Sequence, residues 1–409
     1  MLVQNRDIII VGLQAWDTAI GSNCKNIAQE FAKHNRVLYV NYPLDRITVA
    51  KEKHLPQNQK RLQMLRGDAD NLVQVEENIW VFYPNCILES INWVVPTSLF
   101  RILNKMNNRR FAAEIKKAAG RLAFDDFILF NDSDMFRSFY LKELLQPALY
   151  VYYSRDNLMG VPYWYKHGHK LEPELFAKSD LVTANSTYLA AVARQHNRHS
   201  YYVGQGCETE DFHPGRVTGV PTDIASIRRP IIGYMGALFQ LRLDLSLLEE
   251  LALLRPDWSF VFIGPEDDAF RASPLHQQPN VHFLGLKQTK ELPAYLAQFN
   301  VAINPQKVNE VTIGNYPRKI DEYLAMGKAV VATPTEAMKI FADHVRFATN
   351  ADEYAEQIEH ALAENPETVL QERMQFARTH TWENSVQEIY KAMYLVKPEL
   401  FEPVKAIAG

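Results

Sequence analysis

The sequence predicts an α/β protein built from two doubly wound domains. Three observations carry this. At 409 residues the chain exceeds what one core ordinarily organises, so two domains of roughly 200 residues each are the natural expectation. Short apolar runs alternate with segments of helical periodicity along the whole length, the pattern of mainly parallel sheets flanked by helices. Between the two halves, the stretch from Phe212 to Pro230 holds Pro214, Gly215, Gly219, Pro221 and Pro230 with little apolar periodicity, which marks a boundary. The expected organisation is a first domain over 1–215, a second over 216–382 and a terminal segment over 383–409. Val386, Ile389, Tyr390 and Met393 give that last segment helical spacing, and such a helix would pack back across the domain junction.

In the first half the expected strands are Asp7–Leu13, Arg36–Asn41, Ile79–Tyr83, Phe127–Asn131, Leu149–Tyr153, Leu181–Asn185 and Tyr201–Val203. Helical stretches lie between several of them, Asn23–Lys33 and Glu172–Lys178 among them. The second half is more regular. Ile231–Met235, Phe260–Ile263, Val281–Leu284, Val301–Asn304, Ala329–Thr333 and Val345–Phe347 read as strands. Asp244–Leu254, Thr289–Phe299, Arg318–Met326 and Asp352–Ala363 read as the helices between them.

Composition narrows the class. The chain is 47% hydrophobic and 22% charged, with a net charge of −4, which gives no sign of bulk nucleic-acid binding. Cys24, Cys86 and Cys207 are widely separated and show no metal-ligand spacing, which fits a reducing compartment. The apolar run Ile8–Leu13 is too short for a signal-peptide core, and no run approaches the roughly 18 residues of a membrane span. A cytoplasmic location, or a peripheral one on the inner face of the plasma membrane, is expected.

In open α/β sheets ligands bind beyond the carboxyl ends of the strands, and with two facing units the cleft between them is the default site. The segment PRKIDEYLAMGKAVVAT, Pro317 to Thr333, carries the chemistry best. Pro317 suits a first helical turn and Gly327 the position just past a helix end. Ile320, Tyr323 and Leu324 form a stripe that packs on a sheet. Lys319 stands in the first turn, where free N–H groups and the helix dipole already favour an anion. Glu322, three positions on, has the chemistry to accept hydrogen bonds from sugar hydroxyls. The alternative is an exposed Lys–Glu pair worth about 0.2–0.5 kcal/mol.

That segment resembles the nucleotide-sugar half of GT-B glycosyltransferases of the glycosyl transferases group 1 type. Pro317, Lys319, Glu322, Tyr323, Leu324, Ala325, Gly327, Lys328, Val330 and Val331 match its Pro-x-Lys-x-x-Glu-Tyr-Leu-Ala-x-Gly-Lys-x-Val-Val run. Further matches follow in order. IIGYMGAL with Arg242 and Asp244 resembles that domain's first strand and loop, RPDWSFVFIGP its second strand, and PNVHFLGLKQTKELPAYLAQFNVAINP the stretch through its fourth strand. The resemblance covers Ile231 to Thr333. It is looser in the first half, through SDLVTANS (Ser179–Ser186) and VGQGCETEDFHP (Val203–Pro214), where Gln205 and Glu208 depart from the usual linker. It implies the GT-B fold, two facing Rossmann-like domains with a C-terminal helix crossing back. It also implies transfer of a sugar from a nucleotide diphosphate sugar to a hydroxyl acceptor. Asp132 and Asp134 have the Asp-x-Asp spacing of a metal site but lie outside the donor half, so chemistry without a metal or other cofactor is expected.

One departure matters. Many retaining members carry two glutamates eight positions apart, and the place eight before Glu322 is Gly314. The stretch Asn309-Glu310-Val311-Thr312 before Pro317 instead resembles teichuronic-acid-type envelope polysaccharide transferases. The resemblance therefore leaves retaining or inverting stereochemistry open. Asn309 and Thr312 are candidates for donor contacts, with loop and capping roles as the alternative. Arg242, after the first strand of the second domain, is a candidate to neutralise a departing diphosphate. Its alternative is a surface cation.

On the acceptor side, Asp156 closes the apolar run ALYVYYSRD and so sits at a strand's carboxyl end. Related transferases place an acidic residue in such a stretch, where it can act as general base in inverting members. The alternatives are a helix cap or a pair with Arg155, and Asp132 and Asp134 are weaker candidates for the same work. Gly21, Ser22 and Asn23 form a turn before the first helix, suited to close backbone approach or to plain capping. His167 and His169 have no third ligand and read as surface or acceptor-loop histidines. From Ile87 to Arg121 basic residues interleave with apolar ones, either a solvated helix over the first core or a surface for an anionic membrane and a lipid-linked acceptor.

Other classes fit less well. A dinucleotide-dependent oxidoreductase needs a Gly-rich first turn, and Gly12 has no second glycine near it. A non-catalytic sugar-nucleotide-binding or assembly protein, or a nucleotide-sugar epimerase on the same fold, stays open.

Overall fold

Four consecutive aliphatic residues, Ile8 to Val11, are fully buried in the first strand, because a parallel sheet covered on both faces needs continuous rather than alternating apolar residues. The computed structural model describes residues 2–18, 22–207, 211–364 and 366–401, apart from the side chains of 366–368. The chain divides into two units, one of Met1–Gly204 with Ser385–Gly409 and one of Gln205–Asn384.

The first unit runs β1 (Asp7–Gly12), α1 (Asn23–Ala32), β2 (Arg36–Val40), β3 (Leu44–Asp45), α2 (Arg46–Lys51), α3 (Pro56–Leu65), β4 (Leu72–Glu76), β5 (Ile79–Phe82), β6 (Ile87–Leu88), α4 (Thr97–Arg121), β7 (Ile128–Asp132), α5 (Leu141–Leu145), β8 (Leu149–Ser154), α6 (Pro162–Lys178), β9 (Leu181–Ala184), α7 (Thr187–Arg194) and β10 (Ser200–Tyr202). Among the described residues its main sheet has eight strands in the order β10-β9-β8-β7-β1-β2-β5-β4. Only the β4–β5 pair is antiparallel. Strand order reverses between β1 and β7, where Gly12 pairs with Asp132. A Cβ on Gly12 would lie 2.9 Å from the Cβ of Asp132, so glycine is what lets the two strand ends close up.

The start of α6 differs from expectation. α6 begins at Pro162, ten residues before the expected Glu172, because Pro occupies its first turn and Gly168 lets it press on Met135 and Met159. His167 is accordingly buried, stacked on Phe100 with ring centroids 4.0 Å apart and facing Thr97 Oγ1 at 3.2 Å. The expectation of a surface histidine there is corrected: the aromatic-rich start of the helix packs inward.

The second unit runs α8 (Thr222–Ala225), β11 (Ile231–Met235), α9 (Leu245–Leu254), β12 (Ser259–Ile263), α10 (Asp268–Arg271), β13 (Val281–Phe283), α11 (Leu292–Gln298), β14 (Val301–Asn304), α12 (Arg318–Ala325), β15 (Ala329–Ala332), β16 (Arg346–Phe347), α13 (Ala351–Ala363) and α14 (Pro366–Ala377), and ends in the first residues of α15 (Trp382–Val396). Among the described residues its sheet is all parallel with the order β13-β12-β11-β14-β15-β16. In sequence rank this is 3-2-1-4-5-6, the dinucleotide-binding order, with its switch point between β11 and β14. Ile320, Tyr323 and Leu324 of α12 are fully buried in a cluster with Met235, Val330 and Phe341. Burial of each such side chain is worth about 1.5–3 kcal/mol. From Ser385 onward α15 belongs to the first unit, where Tyr390 stacks on Phe31 and accepts a hydrogen bond from Asn35 Nδ2 at 3.1 Å.

Candidate functional site

At the switch point of the second unit, β11 ends in Tyr234-Met235 and turns through Gly236. Gly236 has φ +140°, and a Cβ there would lie 2.9 Å from Tyr234 Oη and 3.0 Å from Lys319 Nζ. Gly264, at the end of β12, has φ +147°, and its Cβ would overlap the carbonyl oxygen of Gly236. Two glycines thus hold the backbone where a ligand can approach it closely.

Lys319 reaches this turn from the first residues of α12. Its ammonium donates to Tyr234 Oη and stands 4.2 Å from the centre of that ring. Among the described residues it makes no ion pair. An ammonium has three donors, so a charge with unspent hydrogen-bonding capacity points at the β11 turn. Tyr323 fixes the helix to the same place: Met235 N donates to Tyr323 Oη at 2.9 Å. Glu322 lies on another face of α12, 3.3 Å from Arg318 Nε, so the pair on this helix is Arg318–Glu322 rather than Lys319–Glu322.

Two loops close the switch point. The loop after β11 carries Arg242, whose exposed side chain stands above a backbone pinned by Lys307 N donating to Arg242 O at 2.9 Å. Asn309 Nδ2 donates to Leu241 O at 2.8 Å, while Asn309 Oδ1 accepts from Val311 N and Thr312 N at 2.9 and 3.1 Å. Thr312 Oγ1 donates to Lys307 O and accepts from Asn309 N at 3.1 Å. Asn309 and Thr312 therefore build the loop after β14, and Asn309 braces the Arg242 loop through Leu241 O.

Sequence reasoning missed a buried pair under this site. Asp321, fully buried, accepts from Tyr316 Oη at 2.8 Å and pairs with His380 Nδ1 at 2.7 Å. Burial pushes its carboxyl up, and the His380 contact works against that. The pair ties α12 to the turn after α14. Its two halves lie 59 positions apart, and nothing local signals it.

In the first unit, Asp132 and Arg155 stand at the carboxyl ends of β7 and β8. Asp132 is fully buried, and Arg155 Nε donates to its Oδ1 at 2.7 Å while Arg155 Nη1 donates to Asp156 Oδ2 at 3.0 Å. One guanidinium thus bridges two carboxylates. Burial raises the Asp132 carboxyl's pKa and Arg155 opposes that rise; burial disfavours the Arg155 charge, but the two carboxylates outweigh it and hold the guanidinium above its ordinary range. Asp156 is the more exposed of the two, with 38% of its side chain open. Asp134, by contrast, is held by Arg137 Nε at 2.9 Å and caps its own turn. Ser22 is buried, accepts from Lys25 N at 3.3 Å as the cap of α1 and donates to Gln14 Oε1 at 2.5 Å. Asn23 opens α1 beside the Tyr153 phenol. Gly21 lies outside the described residues.

On α4, Phe100, Phe111, Ile115 and Ala118 face the core. Several of its cations are paired: Arg101 with Glu174 at 2.5 Å, Arg110 with Glu89 at 3.0 Å and Arg121 with Asp70 at 3.0 Å. Arg46 and Arg110 together hold the Glu89 carboxyl down to about 2.

Residues 229–364 match the family described as "Glycosyl transferases group 1". The protein named "Putative teichuronic acid biosynthesis glycosyltransferase TuaH" of Bacillus subtilis (strain 168) is 28% identical over 235 residues, 54% of this chain and 58% of that protein. The match therefore spans less than two thirds of that relative's length. Among solved structures, sucrose-phosphate synthase from Thermosynechococcus elongatus superposes with a TM-score of 0.65 at 12% identity, over 97% of this chain and 100% of its own. HepE of Anabaena, solved in complex with UDP and glucose, gives 0.62 at 15% identity, over 95% and 99%. These likenesses show the fold, which is GT-B.

Proposed function

We propose that this chain is a glycosyltransferase that moves a sugar from a nucleotide diphosphate sugar to a hydroxyl acceptor in envelope polysaccharide synthesis. The observation that carries this is the Lys319 ammonium held against the Gly236 turn, at the switch point of a 3-2-1-4-5-6 sheet, within the segment that matches the family. A diphosphate seated on that turn meets backbone amides and a positive charge together, and such fixed charge stabilises the departing diphosphate as the glycosidic bond breaks. Arg242 adds a second cation from a loop that Asn309 braces from its neighbour. Glu322, backed by Arg318, accepts from ribose or sugar hydroxyls. No metal is assigned a part, because the cations are supplied by side chains.

On the acceptor side, Asp156 takes the hydroxyl proton in an inverting reaction, and Arg155 fixes its direction. Ser22 and Asn23 shape the turn at the head of α1. The relative's link to teichuronic acid supports an envelope polysaccharide as product. Among the described residues no helix is long and apolar enough to cross a membrane. A peripheral position on the inner membrane face, with the 87–121 segment on anionic lipid and a lipid-linked saccharide as acceptor, fits that reading.

The test is ligand-induced stabilisation. UDP and GDP, each with and without attached sugar, are screened for a rise in melting temperature, followed by donor turnover with a lipid extract. One nucleotide should stabilise the chain, and Lys319→Ala should abolish the shift while the protein remains folded. An unchanged shift in Lys319→Ala removes the donor-site assignment. Binding without turnover would favour the non-catalytic sugar-nucleotide-binding reading.

A further inference from the structure

The long helix α4 is apolar on two sides, and only one of them is covered. Phe100, Phe111, Ile115 and Ala118 pack into the core of the first unit. The outward side holds Leu99, Ile102 and Met106, and Ile102 is 62% exposed. A surface helix ordinarily turns a polar side to water, so a second apolar stripe calls for a partner. Cations share that side. At about 100° per residue, Leu99, Ile102, Lys105, Met106, Arg109 and Lys116 fall within one arc of about 120°. All six are exposed. No carboxylate is exposed anywhere on α4, because its one acidic residue, Glu114, is buried.

The charge on this arc is not spent within the chain. Arg101, Arg110, Lys117 and Arg121 are paired with Glu174, Glu89, Glu114 and Asp70. Lys105, Arg109 and Lys116 make no ion pair among the described residues, and Lys105 Nζ meets only the Tyr140 ring, 5.8 Å from its centre. Asp45 reaches the loop before α4 at Ser90 Oγ, 2.6 Å away, but Lys166, also without an ion pair among the described residues, stands at the same loop and offsets it. Residues 87–121 hold seven cations against two carboxylates, in a chain whose net charge is −4.

The loop leading into α4 is suited to enter an apolar phase. Trp93 and Val95 are each 72% exposed. Trp93 Nε1 donates to Ser90 O at 2.9 Å, so the one polar group of the indole is satisfied before the ring leaves water. Lys166 Nζ donates to Trp93 O at 3.0 Å and Asn92 Nδ2 to Tyr163 O at 3.1 Å, which fixes the loop against the start of α6. Tyr163 is itself exposed, and tryptophan and tyrosine beside unpaired cations are the composition of a lipid–water boundary. A second copy of this chain would cover the arc badly. A two-fold contact there would gather six unpaired cations with no exposed carboxylate of α4 to offset them.

We propose that this face rests on an anionic lipid bilayer, with α4 along the surface, Trp93 and Val95 inserted, and Lys105, Arg109 and Lys116 at the headgroups. Contact through this one arc, joined by Tyr163 of α6, deepens the function given above, which left the whole of 87–121 open to lipid. Its service to a lipid-linked acceptor rests on that reading, and the binding itself does not.

The experiment sediments the full chain with vesicles of phosphatidylcholine and of phosphatidylcholine mixed with phosphatidylglycerol, at low and high salt, with UDP stabilisation measured in parallel. Binding to the mixed vesicles should be at least about tenfold tighter and should weaken with salt. Arg109→Gln should cost about fivefold, and adding Lys105→Gln and Lys116→Gln should remove most of the preference for anionic lipid. Trp93→Ser with Val95→Ser should weaken binding at least about tenfold. Brominated lipid should quench the tryptophan fluorescence of the parent chain, and Trp93→Phe should lose most of that quenching. These positions are exposed, so the variants should keep the parent's melting temperature. Equal binding to both vesicles, unaltered binding in the cation or loop variants, quenching that survives Trp93→Phe, or self-association through Trp93 in place of vesicle binding each overturns it. Absent vesicle binding with UDP stabilisation intact removes this face alone. Vesicle binding without any nucleotide effect removes the donor reading alone.

Discussion

At the scale of single residues, the proposed donor site depends on the absence of side chains as much as on their presence. Gly236 and Gly264 both sit at positive φ, and Gly264 touches the Gly236 carbonyl. Gly264→Ala should therefore cost about 1–3 kcal/mol from backbone strain alone, with the overlap adding to it, and denaturant unfolding will read the loss. Gly236→Ala should be milder for stability but should displace Lys319, weakening nucleotide binding about tenfold or more. A second residue-scale effect lies far from the site. Glu172, on the buried face of α6, accepts from Tyr152 Oη at 3.0 Å, and burial pushes its carboxyl up to about 7. The folded chain holds a proton there that the unfolded chain has released. That contribution to stability is complete below the unfolded value of about 4.3, falls by up to about 1.4 kcal/mol per pH unit as pH rises, and levels off above about 7. Glu172→Gln should flatten this slope between pH 4.5 and 7 and leave the variant relatively more stable at pH 8. An unchanged slope would place the titration elsewhere.

At the scale of elements, the second unit was far more legible than the first. Ile231–Met235 and Val301–Asn304 form strands with the boundaries their apolar runs predict, because each is buried on both faces and bounded by a turn residue. β4 was not foreseen, since its residues 73–76 are exposed on a sheet edge and carry no burial pattern. The start of α6 was hidden by aromatic residues and by Pro162 and Gly168, which read locally as a loop. The helix α12 was legible in its periodicity, and Lys319 was named from its place in the first turn. Its partner Tyr234 lies 85 positions away, so only the fold could reveal it. The same distance in sequence concealed Asp321–His380, which holds α12 in position. His380→Ala leaves a buried carboxylate with Tyr316 alone and should cost about 3–5 kcal/mol. Adding Asp321→Asn should recover a large part of that loss. A double variant as unstable as the sum of the singles would show that the two residues act independently.

At the scale of the whole molecule, each unit has its own sheet and its own buried cluster, so each has the means to unfold in its own transition. The terminal helix α15 sets what is expected of them. From Ser385 it serves the first unit, through Tyr390 on Phe31 and Asn35 and through Lys397 Nζ donating to Ala148 O at 2.6 Å. Ending the chain after Asn384 removes these contacts and uncovers Phe31, at about 1.5–3 kcal/mol for each large apolar group exposed. The proposed donor residues Arg242, Lys319 and Glu322 all lie in the other unit. UDP at about 100 times its Kd should add about 2.7 kcal/mol to that unit's transition. Calorimetry of the full and shortened chains, with and without UDP, separates the two effects. The first unit's transition should fall to lower temperature in the shortened chain, and the UDP-dependent transition should stay where it was. If shortening abolished the UDP shift, the donor site would require the first unit, and the assignment of nucleotide binding to residues 205–384 alone would be lost.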